Sequence, residues 1–359
     1  NNNNDEILAD TTTTTTTTDA PKTDSGVYMH PLRVLHLKRR VDSTQDETKR
    51  LLQKYYDDQI VIATKKNGED TIVNAQAKAQ QSQQIQKPDP ISLAVIADDQ
   101  SHGRGTSGRS WVSAVGSSTT SGNLTISGNL FLTYALPMNI IPMSQVTLLP
   151  LAVGLVVAET ISMYLHQPSS SSSSSSRNLL NLKWPNDVLL NDCKIAGTLI
   201  ENARIIVVED DDCCESHDYW LVGIGVNIAS HPTDLQNETT TTPTSTDAPA
   251  PRRATSLKEY CTNNDNTSPL PTAVEFGTEL ALKIQEVVSS EWSSSSNTTT
   301  TTNQNTVVDR WRRWAQMGTM QTIRDTREVV KTVGIMDDGR LHVIDHQGND
   351  KYLISDYFV

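Results

Sequence analysis

Leu182-Lys183-Trp184-Pro185-Asn186-Asp187, followed seven residues after the Asp by Lys194-Ile195-Ala196-Gly197, decides the fold. Pro185 has no backbone donor and biases Trp184 toward an extended conformation, so a strand ends or turns there. Asn191-Asp192 then predicts a tight turn before a second strand over residues 194–200. We interpret the stretch as a β-hairpin. A surface hairpin with ordinary Lys and Asp is the alternative, but a hairpin that holds an amide, a carboxylate and two lysines rigidly suits a site of fixed geometry.

The composition limits the amount of folded chain. The sequence has 359 residues, 36% of them hydrophobic, and a formal net charge of −12. Homopolymer and polar tracts cannot bury enough apolar area to offset the entropy of ordering, so we expect disordered loops there. These tracts are residues 1–4, 11–18, 169–176, 238–251 and 293–305. What remains predicts one large domain and a small one, and the acidic balance argues against nucleic acid as a partner.

Cysteines and apolar runs bear on the compartment. The four cysteines, two of them adjacent at Cys213-Cys214, match neither a disulfide framework nor a zinc spacing, which favours a reducing compartment. The longest apolar run, residues 146–161, is interrupted by Pro150, Gly154 and Glu159, so we expect no membrane span. Because the chain begins with Asn, we expect an incomplete N-terminus, with the cytoplasm as the predicted location and a plastid or mitochondrion left open.

Periodicity predicts alternating strands and helices. Asp42 or Ser43 is expected to cap a helix with Asp46 and Glu47 in its first turn. The apolar run 60–63 is interpreted as a strand, joined by a Gln-rich insertion (65–90) to a buried strand at 91–97. Further strands are predicted at 32–37, 128–134 and 220–228, and helices at 148–164, 254–260 and 272–292.

A loop rich in Gly and Arg follows the buried strand, running from Asp98 to Trp111. Its three glycines allow backbone amides to approach an anion, and its two arginines add cations. It matches neither a dinucleotide fingerprint nor a P-loop. A ligand-gated loop is favoured over a mobile surface loop. Glycines 223 and 225 indicate either the close approach of a ligand or a β-bulge.

Six motifs in order resemble a biotin protein ligase of the biotin/lipoate ligase family. They are Asp42-Ser43-Thr44-Gln45, Gln100 with Gly103-Arg104-Gly105 through Trp111, Gly128-Asn129-Leu130, Lys183-Trp184-Pro185-Asn186-Asp187, Lys194-Ile195-Ala196-Gly197 and Gly223-Ile224-Gly225-Val226-Asn227. Together they cover most of residues 33–315. One such motif would be weak, whereas six in register are specific.

The resemblance implies an α+β fold, with a mixed sheet flanked by helices and related to class II aminoacyl-tRNA synthetases. It implies a catalytic domain over residues 30–315 after a disordered polar tail, 1–29. Short strands after residue 316, with turns at Asp338-Gly339 and Gln347-Gly348, predict a small C-terminal SH3-like β-barrel over 316–359.

The implied reaction has two steps. ATP, with Mg²⁺, activates the biotin carboxylate as biotinyl-AMP, and a lysine of a biotin carboxyl carrier domain then attacks the adenylate to form an amide. Carrier domains of biotin-dependent carboxylases are therefore the expected partners, and a homodimer is left open. The resemblance thus implies a ligase that binds ATP and biotinylates proteins.

The resemblance also implies roles for individual residues. Lys194, Arg104 and Asp187 are expected to be catalytic, with Asp187 as a metal ligand. The expected biotin-binding residues are Ser43, Thr44, Gln45, Gln100, Gly103, Arg104, Gly105, Thr106 and Lys194. The expected ATP-binding and adenylate-binding residues are Arg104, Arg109, Trp111, Lys183, Asn186 and Asn227. Cations suit these positions because the attacking carboxylate and the phosphates repel each other.

Some features depart from the family's pattern. Thr106 and Ser107 stand where bacterial members often have arginines, so adenylate retention is expected to differ. No helix-turn-helix precedes residue 33, which argues against a repressor. Two alternatives stay open: a lipoate-type ligase, whose pocket would be a long apolar tunnel, and a non-catalytic protein that binds biotin or a carrier domain.

Overall fold

A computed structural model describes ten stretches of the chain: residues 15–18, 30–66, 89–111, 128–165, 179–210, 213–232, 253–264, 269–292, 306–323 and 325–354. The strands are β1 (Thr15–Thr18), β2 (Leu32–Val41), β3 (Ser92–Gln100), β4 (Leu130–Pro137), β5 (Leu180–Lys183), β6 (Asp187–Leu190), β7 (Cys193–Asp210), β8 (Cys213–Val226), β9 (Met320–Thr322), β10 (Val329–Ile335), β11 (Leu341–Asp345) and β12 (Asp350–Leu353). The helices are α1 (Thr44–Lys66), α2 (Leu149–Leu165), α3 (Leu257–Asn263), α4 (Ala273–Trp292) and α5 (Val307–Arg312).

The first eight strands form one mixed sheet in the order β1-β2-β3-β4-β8-β7-β6-β5. Only the β2–β3 pair is parallel among the described pairs of this sheet. β7 and β8 form a long hairpin that places their glycines beside β4 and β6. The prediction of a mixed sheet flanked by helices is confirmed.

The hairpin predicted around residues 182–200 is present. β5 pairs with β6, and β6 with β7, with Lys183 opposite Asp187 and Asp187 opposite Gly197. Asn191 and Asp192 both have positive φ, 49° and 61°, as the tight turn between β6 and β7 requires. The three strands therefore carry the Lys-Trp-Pro-Asn-Asp and Lys-Ile-Ala-Gly motifs side by side.

Helices cover both faces of the sheet. On one face, α1 packs Leu52 and Tyr56 against a layer that includes Val95, Ala203 and Leu221. On the other, α2 and α4 are part of a larger core with Ile96, Leu132, Ile224 and the C-terminal strands. Side chains alternate between the faces, so Gly197, Gly223 and Gly225 share the face of α1 with Leu221 and Ala203. Only the first turn of α1, through Gln45, reaches Gly223.

Among the described residues, one helical segment, Met143–Leu165, which includes α2, is long and apolar enough to cross a membrane by length and composition alone. Of its most apolar window, 61% is buried inside the protein. α2 contacts α4, α5 and the strands β5 to β7. The helix predicted at 148–164 is therefore present, and it packs on the sheet.

The C-terminal strands form a separate antiparallel sheet in the order β12-β11-β10-β9. Its turns at Asp338-Gly339 and Gln347-Gly348 use glycines with φ of 85° and 87°, as predicted. The pairings among the described residues give an open four-stranded sheet, so the SH3-like barrel is not confirmed.

Other predictions of local structure differ from what is observed. Residues 60–63 are helical within α1 and not a strand, because a short apolar run fits either state and here it continues a helix that has already started. β7 extends to Asp210, well beyond the strand predicted over residues 194–200. Thr15–Thr18, in the tail predicted to be disordered, pairs with β2. The other homopolymer tracts lie outside the described residues.

Candidate active site

The Trp111 ring packs closely against glycines of β7 and β8. A Cβ on Gly225 would be 2.5 Å from the Trp111 ring, and one on Gly197 would be 3.1 Å from it. A Cβ on Gly223 would be 3.0 Å from the amide of Gln45. The strand glycines therefore admit protein side chains, not only the ligand proposed from the sequence. Without them the indole could not reach the sheet.

Lys194 joins the hairpin to this indole. Its Nζ lies 2.6 Å from Asp187 Oδ1 and 5.4 Å from the centre of the Trp111 ring. Trp111 precedes Asp187 by 76 residues in the chain, yet the Trp111, Asp187 and Lys194 side chains meet at one point. A cation held by one carboxylate against an aromatic face has a defined position and remains about a quarter exposed, at 28%.

Arg104 is held by three side chains from two elements. Its Nε and Nη2 donate to Glu201 Oε1 and Oε2 over 3.2 and 2.8 Å, and Nη1 donates to Asp46 Oδ2 over 2.6 Å. Nη2 also donates to Gln45 Oε1 over 3.3 Å. The hydrogen bond to Asp46, followed by those to Glu201, raises the pKa of Arg104 above its usual value. The guanidinium is therefore a fixed cation between α1 and β7.

The loop around Arg104 closes on itself. Gly105 N donates to Arg109 O over 2.7 Å, and Trp111 N donates to Gly103 O over 2.8 Å. A Cβ on Gly103 would collide with the Gln100 amide and the Trp111 carbonyl. This close fit requires glycine at position 103 and places the Gln100 amide against the loop that carries Arg104. The predicted biotin contacts of Gln100 stay a prediction.

Arg109 and Thr106 bind each other inside this loop. Arg109 Nη2 donates to Thr106 Oγ1 over 2.7 Å, and its Nε donates to Thr106 O over 3.1 Å. In this arrangement Arg109 braces the loop, and the described residues provide no contact between it and Lys194 or Asp187. Its predicted adenylate contact stays a prediction.

The hydroxyls at the start of α1 are buried and engaged. Ser43 Oγ accepts from Gln45 N over 3.3 Å, and Thr44 Oγ1 accepts from Thr133 Oγ1 over 2.9 Å. Gln45 donates to the carbonyls of Leu199 and Leu221 above Gly223. These contacts anchor the helix start on the sheet, one residue before Asp46 reaches Arg104. Of the predicted biotin-binding residues Ser43, Thr44 and Gln45, it is Gln45 that contacts the arginine.

The side-chain amides of Asn186 and Asn227 donate hydrogen bonds to backbone carbonyls. Asn186 Nδ2 donates to Thr198 O over 2.6 Å, and Asn227 Nδ2 donates to Thr255 O over 3.0 Å. The first bond secures the hairpin turn, and the second secures the start of α3. Their predicted nucleotide contacts stay predictions, because the side-chain amide donors already have protein partners.

Lys183 lies at the edge of the site. It is opposite Asp187 in the β5–β6 pair and lines a cavity of about 310 Å³ between this hairpin and the C-terminal sheet. Trp184, Trp311, Thr319 and Gln321 also line the cavity. Lys183 is thus one strand away from the Asp187–Lys194 pair.

Asp187 is the predicted metal ligand. The described residues contain no group of three or more His, Cys, Asp or Glu side chains arranged to hold a metal ion. Mg²⁺ is commonly bound by one or two carboxylates together with substrate phosphates. A single carboxylate paired with Lys194 fits a metal that arrives with phosphates better than a resident metal.

Asp46 and Glu201 were not predicted as site residues. Asp46 was interpreted only as a helix-start carboxylate, and Glu201 only as a strand end. They are 58 and 97 residues from Arg104, so local patterns give no sign of the contact. The alternation Gly197, Leu199, Glu201 could have placed Glu201 on the glycine face.

Comparison with known families finds similarity over part of the chain. A model described as the biotin/lipoate A/B protein ligase family matches residues 71–210. The biotin–[acetyl-CoA-carboxylase] ligase of Mycobacterium tuberculosis is 27% identical over 148 residues, which cover 41% of this chain and 44% of that protein. The match thus spans less than half the length of this relative.

Two solved structures have a similar fold. Biotin protein ligase from Aquifex aeolicus in complex with biotin and ATP has a TM-score of 0.52 and 20% identity, covering 91% of this chain and 97% of that one. The apo structure of the Aquifex aeolicus ligase has a TM-score of 0.50 and 18% identity, covering 92% and 98%. Residues 71–210 of the chain are therefore similar to the biotin/lipoate A/B protein ligase family, and the fold is similar to that of these two ligases.

Proposed function

We propose that the protein is an ATP-dependent biotin protein ligase. It activates biotin as biotinyl-AMP and transfers the biotinyl group to a lysine of a biotin carboxyl carrier domain. The observation that carries the proposal is the convergence of Lys194, Asp187, Trp111 and Arg104 on one sheet face. Acyl adenylation needs fixed cations beside a planar binding surface, and this group supplies both.

In the first step, a biotin carboxylate oxygen attacks the α-phosphorus of ATP, a P–O bond forms, and the bond to pyrophosphate breaks. Lys194 is placed to meet the carboxylate and the developing charge, because its ammonium lies at the indole of Trp111. Arg104 and Lys183 supply further positive charge on either side. In the second step, the acceptor amine attacks the acyl carbon and AMP leaves.

A magnesium ion that accompanies ATP would meet Asp187, and it would neutralise phosphate charge. Lys194 Nζ and Asp187 Oδ1 are 2.6 Å apart, so a bound ligand or metal ion would compete with this ion pair for both side chains. The polar contacts of Ser43, Thr44 and Gln100 suit the ureido ring of biotin, whose hydrogen-bonding groups are costly to bury unpaired. The cytoplasm is the compartment we propose.

The test is ATP–pyrophosphate exchange with biotin and, separately, with lipoate. We expect exchange with biotin and a loss of about a hundredfold or more in Lys194→Ala, because one charge-stabilising donor is worth about that much. Lys258→Ala is the control, since Lys258 is an exposed lysine on α3. It should exchange at the normal rate.

Other outcomes identify the alternatives. Exchange with lipoate and not with biotin would favour the lipoate-type ligase. Binding of biotin without exchange would favour the non-catalytic protein. Equal losses in Lys194→Ala and Lys258→Ala would contradict the assigned role of Lys194.

A further inference from the structure

Five cations cluster where β2 ends and α1 begins. They are Lys38, Arg39, Arg40, Lys49 and Arg50, all exposed, and we call them the basic face. This cluster is unusual in a chain with a net charge of −12. None of these five residues belongs to the six motifs or has a role in the proposed mechanism.

The carboxylates beneath the basic face are buried. Glu47, 4% exposed, accepts from Arg39 Nη2 over 2.7 Å and lies 2.9 Å from Arg50 Nη2. Asp99, also 4% exposed, accepts from Arg40 Nε over 2.6 Å. Since the negative ends lie inside and the arginine heads outside, these pairs fix the cations in place and direct positive charge outward.

Two lysines complete the face without such partners. The described part of the chain gives neither Lys38 nor Lys49 an ion pair with a carboxylate. Asp42 and Asp46 are the exposed carboxylates nearby, and Asp46 is bound to Arg104. The face is therefore positive beyond its internal pairs.

The basic face adjoins the candidate site. Ser101 N and His102 N, at the start of the Arg104 loop, donate to Val41 O and Asp42 O over 2.9 and 2.8 Å. Lys49 and Arg50 follow Asp46 by three and four residues, so they lie one turn along the same side of α1. A macromolecule seated on this face would reach the surface around Arg104.

We propose that the basic face docks an acidic protein surface that carries the acceptor lysine. This inference rests on the proposed function and names the surface that receives the carrier domain. An acidic carrier would be repelled by most of a chain with net charge −12, so a local positive face sets both the encounter rate and the orientation. Nucleic acid fits less well, because phosphate binding needs a larger basic surface than five cations interspersed with Asp42 and Asp46.

The test compares the two half-reactions in the charge-reversal variant Lys38→Glu/Lys49→Glu of the full chain. The acceptor is an acidic biotin carboxyl carrier domain. We expect normal biotin-dependent ATP–pyrophosphate exchange. The KM for the carrier should rise about fivefold at low ionic strength, because two exposed attractions between a lysine and the acidic carrier become repulsions. The difference should shrink as ionic strength approaches about 1 M.

The control is Arg327→Glu/Lys331→Glu, which makes the same charge change on exposed residues near and in β10. An equal rise in KM in this control would overturn the proposal, as would an unchanged KM in Lys38→Glu/Lys49→Glu with exchange intact. Binding of random duplex DNA that outcompetes the carrier and weakens in the same variant would also overturn it, in favour of nucleic acid. Absence of exchange in the unmodified chain would instead contradict the proposed function.

Discussion

At the scale of single residues, the candidate site is defined by which groups hold its cations. Lys194 has one carboxylate partner and an aromatic neighbour, whereas Arg104 has two carboxylates and an amide. The two cations therefore differ in freedom. Arg104 is oriented by its neighbours, and Lys194 retains more room to follow a reacting group.

Glu201 is predicted to be a positioning residue for Arg104. Glu201→Gln removes the charge that binds two guanidinium nitrogens, so Arg104 loses its fixed direction. We expect kcat for biotin-dependent exchange to fall about tenfold, with a smaller change in the KM for biotin, because misplacing a catalytic group by about 1 Å can cost up to about a hundredfold.

Asp218→Asn provides the matched control for this prediction. Asp218 accepts two hydrogen bonds from Arg204 farther along the same β7–β8 hairpin, at an exposed position. Its loss should leave exchange unchanged. Similar kcat values for Glu201→Gln and the unmodified protein would mean that Arg104 does not depend on Glu201 for its orientation.

At the scale of elements, turns depend on specific side chains. The β11–β12 turn is organised by Asp345, whose Oδ1 accepts from Gln347 N over 2.9 Å and from Asn349 N over 2.8 Å. Asn349 Nδ2 donates to Oδ2 over 3.1 Å. The backbone donor of Asn349, first among these groups, lowers the pKa of Asp345 from 3.8 to about 2.

This shift predicts how stability depends on pH. Because the pKa of Asp345 is lower in the folded state, its ionised form stabilises the protein above about pH 3.8, and that contribution is lost as pH falls to about 2. Asp345→Asn should lower the free energy of unfolding at pH 5 and reduce its change between pH 4 and pH 2. Urea unfolding at these pH values measures both.

Asp337→Asn is the control for this element. Asp337 is 96% exposed and meets only Arg312 at 3.1 Å among the pairs of the described residues. Its substitution should leave the unfolding curve at each pH nearly unchanged. If Asp345→Asn had the same pH dependence as the unmodified protein, another group would be responsible for the acid loss.

At the scale of the whole molecule, one turn of the C-terminal sheet makes direct hydrogen bonds to the part of the chain that carries the mixed sheet. Gly339 O accepts from Trp184 Nε1 over 3.1 Å, and Asp338 O accepts from Thr147 Oγ1 over 2.5 Å. Trp184 belongs to the hairpin that carries Asp187. The turn between β10 and β11 therefore supports the element that holds the site.

Gly339→Ala is predicted to weaken this junction. The residue has φ of 85°, and a Cβ would lie 2.9 Å from Thr147 O, so the substitution adds a steric conflict to backbone strain. We expect the free energy of unfolding to fall by about 2–4 kcal/mol. Thermal or urea unfolding measures it, and exchange activity should fall if the hairpin shifts.

Gly348→Ala is the control that separates backbone strain from the steric conflict with Thr147. Gly348 has φ of 87° but nothing within 4 Å of the position of a Cβ. It should lose only about 1–2 kcal/mol, the cost of the left-handed backbone, and keep its exchange activity. Equal losses for the two variants would indicate that the contact with Thr147 contributes nothing to stability.

The sequence alone determined the hairpin, the helices at 148–164 and 272–292, the strand turns and the family resemblance, because each depends on local periodicity or on short motifs. It also identified Lys194, Arg104, Trp111 and Asp187. It misassigned residues 60–63, since a four-residue apolar run has no period of its own.

Only the tertiary structure decided which side chains contact each other. Glu201 and Asp46 meet Arg104, Gly225 admits Trp111, and Gly339 receives Trp184, through contacts that span 58 to 155 residues of the chain. Such contacts depend on strand order and on which face each side chain occupies. A one-residue change in register would move every one of these side chains to the other face, and local sequence patterns do not specify that register across distant strands.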